Sequence, residues 1–335
     1  MQNTGYKLDS SNMNISTLPD YVLITPARNE ETYIELTLKS MVAQTVKPLK
    51  WVIVSDGSTD RTDEIVKSYA SNHPWIELLC LPERRERHFA GKVMAFNAGW
   101  DRVKHLSYAI IGNVDADISF DSDYFEFLLA KFAENPKLGV GGTPFTEGKG
   151  TYDFRFSSIE HVSGACQLFR RECFDAIGGY TPIKGGGIDL VAVVTSRMRG
   201  WQTRSFAERV CFHHRKMGSG MNQGLKLPYK WGQSDYRLGG HPVWQTFRCI
   251  YQMTNRPYVI GGLATLTGYF VSMISRRPRA VSDEFAAFRG KEQLQRLKKF
   301  FAGKSAATKN DLPVVGRVMP SAGSSVSPSI GGGEK

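Results

Sequence analysis

Cysteine is scarce and scattered in this chain. Cys80, Cys166, Cys173, Cys211 and Cys249 are its five cysteines in 335 positions, with no C-x-x-C pair, which excludes a zinc knuckle or a disulfide framework and fits a reducing compartment. Long apolar runs are lacking too. Only 258–275 is free of charge over nearly a membrane-spanning length, and Gly261, Gly262, Thr265, Thr267 and Gly268 dilute it, so a span, interfacial contact and packing in a helical appendage all stay open. Arg256, Arg276, Arg277 and Arg279 flank it and suit either an anionic membrane surface or plain solvation. The chain opens on polar residues through about Pro19. No secretory signal is read there, and the working site is expected to face the cytosol. Internal repeats are absent, and the basic residues are too dispersed, without an aromatic stacking motif, for a nucleic-acid interface.

What is present reads as a globular protein with a tail. At 41% hydrophobic residues the chain can bury one large core or two modest ones, and 33 glycines with 15 prolines imply many tight turns. A net charge of +11 favours anionic partners such as nucleotide phosphates or phospholipid headgroups. In the first half, apolar runs at 21–25, 51–55, 76–81 and 108–114 alternate with amphipathic stretches at 31–44, 60–69 and 92–103. That alternation predicts right-handed crossovers and a Rossmann-like, mostly parallel sheet flanked by helices, with ligands outside the carboxyl ends of the strands. In the second half, 122–134 reads as a helix, 138–144 and 165–169 as strands, 145–162 as irregular, and 188–199 and 284–301 as helices.

The run IGNVDADI at 111–118 carries the most information. Its apolar residues end in Asp115-x-Asp117, and residues two apart in an extended chain point to one side, so both carboxylates can converge on a hard cation such as Mg²⁺ or Mn²⁺. A plain surface turn fits the same pair. Asp56 stands at another strand end, and Asp60 reads as the cap of the helix that follows. Gly91 and Lys92 are placed just before or at the start of a helix, where amides and an ammonium can face a phosphate. Asp189 follows Gly185-Gly-Gly-Ile188 at the opening of a helix, where an N-cap is the plain structural reading.

Four patterns in fixed order, TPARNE at 25–30, VSDGSTD at 54–60, Gly91-Lys92 with Asn97, and Asp115-Ala116-Asp117, resemble the family 2 glycosyltransferases with a GT-A fold. The resemblance covers about 21–220. It implies transfer of a sugar from a nucleotide diphosphate, a UDP-sugar in first place and GDP- or dTDP-sugars in second, to an acceptor hydroxyl with inversion. Pro26, Ala27, Arg28 and Glu30 would hold the nucleoside, Asp56 the base, Gly91, Lys92 and Asn97 the donor, and Asp115 with Ala116 the ribose region. Asp115 and Asp117 would hold the divalent cation with His213, while His214 and Arg215 would meet metal or phosphate. Asp189 would be the general base. Two departures stand out: Ser55 replaces the first aspartate of the usual Asp-Asp-Gly-Ser, and Ile188 replaces the acid before Asp189.

Arg84, Arg85 and Arg87 could reach the diphosphate, and 216–220 could close over the donor. The Gln-x-x-Arg-Trp pattern of processive synthases is missing, so single-residue transfer to a glycan or lipid-linked acceptor in cell-envelope or exopolysaccharide synthesis is expected. The protein would be cytoplasmic, with peripheral contact at the inner face of the membrane. The expected division is an extension at 1–19, a GT-A domain at 20–222 whose donor half ends at 118, a helical extension at 223–301 and a tail from 302. A sugar-phosphate nucleotidyltransferase and a noncatalytic nucleotide-binding scaffold are the competing readings.

Overall fold

The computed structural model describes residues 18–83, 89–147, 158–183, 185–215, 225–254 and 259–302. In chain order the elements of the first half are β1 (Tyr21–Ala27), α1 (Ile34–Val42), β2 (Lys50–Asp56), α2 (Thr62–Ala70), β3 (Ile76–Leu81), α3 (Phe89–Val103), β4 (Ile110–Val114) and β5 (Ile118–Ser119). There follow α4 (Tyr124–Glu134), β6 (Leu138–Gly142), β7 (Phe145–Thr146), β8 (Cys166–Arg170), α5 (Arg171–Ile177), α6 (Ile188–Met198), β9 (Gln202–Ser205) and β10 (Cys211–His213). Four helices close the described chain: α7 (Lys226–Arg237), α8 (Pro242–Gln252), α9 (Ile260–Ile274) and α10 (Asp283–Phe301).

Seven strands form the central sheet in the order β3-β2-β1-β4-β8-β6-β9. Only β8 runs against its neighbours β4 and β6, so the expected mostly parallel sheet is what forms. Both faces are dry. Tyr21, Leu23, Trp51 and Ile53 join one apolar layer with residues of α1 and α4, while Val22, Ile24, Val52 and Val54 join another with α3, α5 and α6. Period-2 alternation thus explains why these strands read as continuous apolar runs: each face finds its own helices. On α3 a Cβ at Gly99 would lie 2.7 Å from Ile24 Cγ2 and 2.9 Å from Val54 Cγ2, so glycine sets how closely that helix approaches.

Several boundaries differ from expectation. The helix expected from residue 31 begins at Ile34, because the amides of Glu30 and Glu31 are taken by Thr62 Oγ1 at 2.8 Å and Asp60 Oδ2 at 3.0 Å. It ends at Val42, and Gln44, expected as its last residue, bonds instead to Ser40 O, Asp121 O and Phe125 N. β6 stops at Gly142, two residues before Pro144, which has no N–H to give a ladder. The apolar run at 210–212 reads as a strand that His213 and His214 follow, but β10 covers Cys211–His213, so His213 is part of the strand.

Among the described residues no helix is long and apolar enough to cross a membrane, which removes the span reading of 258–275. Instead α9 crosses α7 at very close range. A Cβ at Gly232 would stand 1.9 Å from Thr265 O, and one at Gly268 would stand 2.1 Å from Tyr229 O. α10 then returns to the first part of the chain. Arg197 of α6 grips Glu292 in a two-pronged pair at 2.7 and 2.9 Å, Arg296 meets Glu160 at 3.1 Å, and Arg289 meets buried Asp235 at 2.8 Å.

Candidate donor and metal site

The chain moves outward from β1 through β2 to β3, then returns to place β4 on the other side of β1. That reversal opens a crevice at the carboxyl ends of β1 and β4, where a doubly wound sheet collects its ligands. The loop after β1 is stitched to the loop after β2. Asn29, at φ 55°, accepts from Thr59 N at 2.8 Å, and Asp60 accepts from both Thr62 N and Glu31 N at 3.0 Å. Asp60 is therefore a scaffold residue but not the expected cap: the N-cap position of α2 belongs to Arg61, one residue on. Burial works against its charge, but the Thr62 hydroxyl and the amides of Glu31 and Thr62 win and lower its carboxyl. Pro26 and Ala27 do not follow β1 as expected but are its last two residues, Ala27 buried at 2% exposure, so only Arg28 and Glu30 stand in the loop itself; Asp56 is 8% exposed at the end of β2. Gly57 is irreplaceable there: at φ 66° its Cβ would sit 2.6 Å from the Glu83 backbone.

After β4, Thr37 of α1 donates to Ala116 O at 2.9 Å or Ile118 O at 2.7 Å, pinning the turn that carries Asp115 and Asp117. The Asp115 amide donates to Ala165 O at 2.8 Å. β10 pairs antiparallel with β5, His213 opposite Ile118, and that pairing delivers the imidazole to Asp117. Ligand atoms of Asp115, Asp117 and His213 all lie within 4.8 Å of one another. His213 Nε2 faces Asp117 Oδ1 at 3.6 Å, while Nδ1 lies against Arg215 O and 3.7 Å from Glu147 Oε1. A carbonyl oxygen can only accept, so Nδ1 carries the hydrogen and Nε2 keeps a lone pair toward the carboxylates. Two oxygens and one such nitrogen fit a divalent cation. Burial first, then the Asp115 charge, raise the Asp117 carboxyl, against opposition from His213, Arg215 and Lys92. A cation would relieve that repulsion.

Lys92 pairs with Asp115. Burial works to lower its ammonium, but the charges of Asp115, Asp189 and Asp117 prevail and raise it. Gly91 and Lys92 do not precede the helix as expected, because α3 already begins at Phe89; Lys92 acts here through its side chain. Asn97 is exposed, about 140° round the helix from Lys92, and so lies apart from this cluster.

Asp189 lies in the first turn of α6 and, with Lys92, Asn113, Gly164 and Tyr180, lines a cavity of about 10 Å³, room for about one water. It is not the N-cap: that place belongs to Gly187 at φ 94°. Ile188, where an acid was expected, is 7% exposed and lines the same cavity, so the departure fills the core. A Cβ at Gly187 would collide with Leu238, just past the end of α7, at 2.6 Å.

His214 is turned elsewhere, with Nε2 on Ser119 Oγ at 2.8 Å and its ring stacked on Tyr33. Neighbours in an extended segment face opposite ways, so His213 and His214 do not share the triad. Arg215 bridges Glu30 and Asp117, its Nε 3.3 Å from Asp117 Oδ2, and thereby joins the β1 loop to the carboxylates. Arg84, Arg85, Arg87 and 216–220 lie outside the described residues. Sequence reasoning missed Asn113, Tyr33 and Glu147. The first was within reach, since it precedes Asp115 by the same two-residue step, and its amide donates to Gly164 O at 2.8 Å.

Residues 22–183 match the family model described as glycosyl transferase family 2. Through this segment the chain is similar to glycosyl transferase family 2. Over 152 residues, 45% of the chain, it is 30% identical to the poly-beta-1,6-N-acetyl-D-glucosamine synthase of Staphylococcus aureus (strain COL), covering 35% of that protein. The Staphylococcus epidermidis protein of the same name is 32% identical over 136 residues, 40% of this chain and 31% of its own. The chain thus matches about a third of the length of these curated relatives. The mannosyltransferase of Pyrobaculum calidifontis, solved in complex with GDP-Man and Mn²⁺, superimposes with a TM-score of 0.51 at 18% identity, over 89% of this chain and 87% of that one. That likeness establishes the shared GT-A architecture.

Proposed function

We propose that this chain is an inverting, metal-dependent family 2 glycosyltransferase. It moves a sugar from a nucleotide-diphosphate donor, UDP-linked in first place, to the hydroxyl of a glycan or lipid-linked acceptor in cell-envelope or exopolysaccharide synthesis. The setting is the cytoplasm, at the inner face of the membrane. The observation that carries this reading is the convergence of Asp115, Asp117 and His213 beside Lys92, which links the triad to Asp189. A divalent cation held by those three side chains supplies the charge that neutralises a departing diphosphate. Asp56 accepts from the base, and the end of β1 with its loop, carrying Pro26, Ala27, Arg28 and Glu30, grips the nucleoside. Asp189 removes the proton of the acceptor hydroxyl as that oxygen bonds to the anomeric carbon and the bond to the diphosphate breaks. Lys92 and Arg215 keep the carboxylates apart in charge and position.

A thermal-shift panel of UDP-, GDP- and dTDP-sugars, each with and without Mn²⁺, tests the donor and the metal together. UDP-N-acetylglucosamine is the first donor to try, given the names of the curated relatives. At about 100 times its Kd a donor that binds only the folded state adds about 2.7 kcal/mol, and the gain should appear only with metal. A panel in which Mn²⁺ changes no donor's effect removes the metal from the reading.

A further inference from the structure

Among the described residues, nothing covers one apolar face of α9. Along α9, Ile260, Leu263, Thr267, Val271 and Ile274 are all exposed, with Ile274 at 76%. At 100° per residue these positions fall within about 80° of each other, so they form one stripe along the helix. The opposite face is fully engaged: Gly262 packs on Cys249 O, and Thr265, Gly268, Tyr269 and Ser272 are buried. The stripe ends at Arg276 and Arg277, both exposed.

Charge along this part of the chain is one-sided. Between 225 and 279 there are eight lysines and arginines and one acid, Asp235. That acid is buried against Arg289 and adds nothing to the surface. Arg279 is answered by Asp283 at 3.3 Å, so the exposed Arg276 and Arg277 are the cations that matter, and an apolar stripe ending on them matches a surface that is greasy inside and anionic outside. With 15 residues, α9 spans about 22 Å against the roughly 30 Å of a bilayer core, so it can lie in the interface but not cross.

We propose that α9 lies flat in the headgroup region of an anionic phospholipid bilayer, its stripe inserted and Arg276 and Arg277 on lipid phosphates. The adjoining helix α7 ends at Arg237, which meets Gly185, and Leu238 just past that end meets Gly187 on the wall that leads to Asp189, so docking through α9 brings the acceptor side of the site toward the lipid. The inference does not depend on the transferase reading.

The test is co-sedimentation of the full chain with vesicles of phosphatidylcholine alone and with vesicles containing about one third phosphatidylglycerol. Binding is expected to the second and not the first, and to be lost at about 1 M salt, where the screening length falls to about 3 Å. Arg276→Gln with Arg277→Gln should weaken it roughly 30-fold, as two surface cations do near an anionic leaflet. Leu263→Glu with Ile274→Glu should abolish it; should that pair melt early, Leu263→Ser with Ile274→Ser carries the same test. Vesicle binding equal in wild type and in these variants would overturn the proposal. So would equal binding to both vesicle types, or a dimer in sedimentation velocity that Ile274→Glu dissociates, which assigns the stripe to a second copy. Transfer to a soluble acceptor should persist in every variant, so absence of transfer alongside vesicle binding sinks the enzyme reading and leaves this one standing.

Discussion

Asp189 is held on two sides with no direct ion pair among the described residues. A Cβ at Gly164 would come within 3.1 Å of its Oδ2, and Lys92 senses its charge while bonding to Asp115. Asp189→Asn keeps that shape and removes only the proton acceptor. Donor binding by calorimetry should stay near wild type while the transfer rate falls by about 10²- to 10⁴-fold; near-normal transfer takes Asp189 out of the base role. Asp115 and Asp117 were legible as a carboxylate pair at the end of an apolar run, but they stand in the turn between β4 and β5, so it is the turn and not an extended two-residue step that brings them together. His213 was legible only through family resemblance, since nothing local tells which of two adjacent histidines faces a carboxylate 96 residues earlier. Here the pairing of β10 with β5 decides. Lys92 was legible as a cation near a helix start, but its place among three carboxylates is a tertiary fact.

The central strands were readable because burial on both faces makes them apolar throughout. β9, with sequence QTRS, was not: it pairs with β6 at the end of the sheet and needs no apolar pattern. α5 is also short, and a seven-residue helix gives periodicity little to work with. In the crossing of α7 and α9, contact rests on glycines that sequence reading took only as weakening a hydrophobic run. Gly232→Ala and Gly268→Ala would each push a methyl into a backbone carbonyl, at 1.9 and 2.1 Å. Either should cost about 1–3 kcal/mol through overpacking, despite alanine's better helix propensity. Chemical denaturation reads this as a shift in midpoint, and an unshifted midpoint would mean that the helices part without penalty.

At the scale of the molecule, α10 determines how the parts respond to acid. Asp235 sits 6% exposed; burial pushes its carboxyl up, but Arg289 and Arg248 outweigh burial and hold it below the ordinary range. A group lowered in the folded state stabilises above its unfolded value of about 3.9, and that contribution is lost as pH falls below it and through the folded value. Asp123, lowered by Arg209, and Glu77, where Arg102 and Lys50 outweigh burial, act in the same direction. Melting temperature should therefore drop as pH is taken below about 4. Arg289→Met should remove most of that extra acid sensitivity at Asp235 while destabilising the neutral protein by about 3–5 kcal/mol, because it leaves a buried charge alone. A variant with unchanged melts at both ends of the range would refute the role of this pair.

The match to the family ends at 183, yet Asp189 and His213 both lie beyond it, and Glu292 of α10 clasps Arg197 on the helix that bears Asp189. Anyone building chimeras should therefore keep the chain through Phe301: a graft severed where the homology stops would leave the Asp189 carboxylate and the His213 imidazole on the bench.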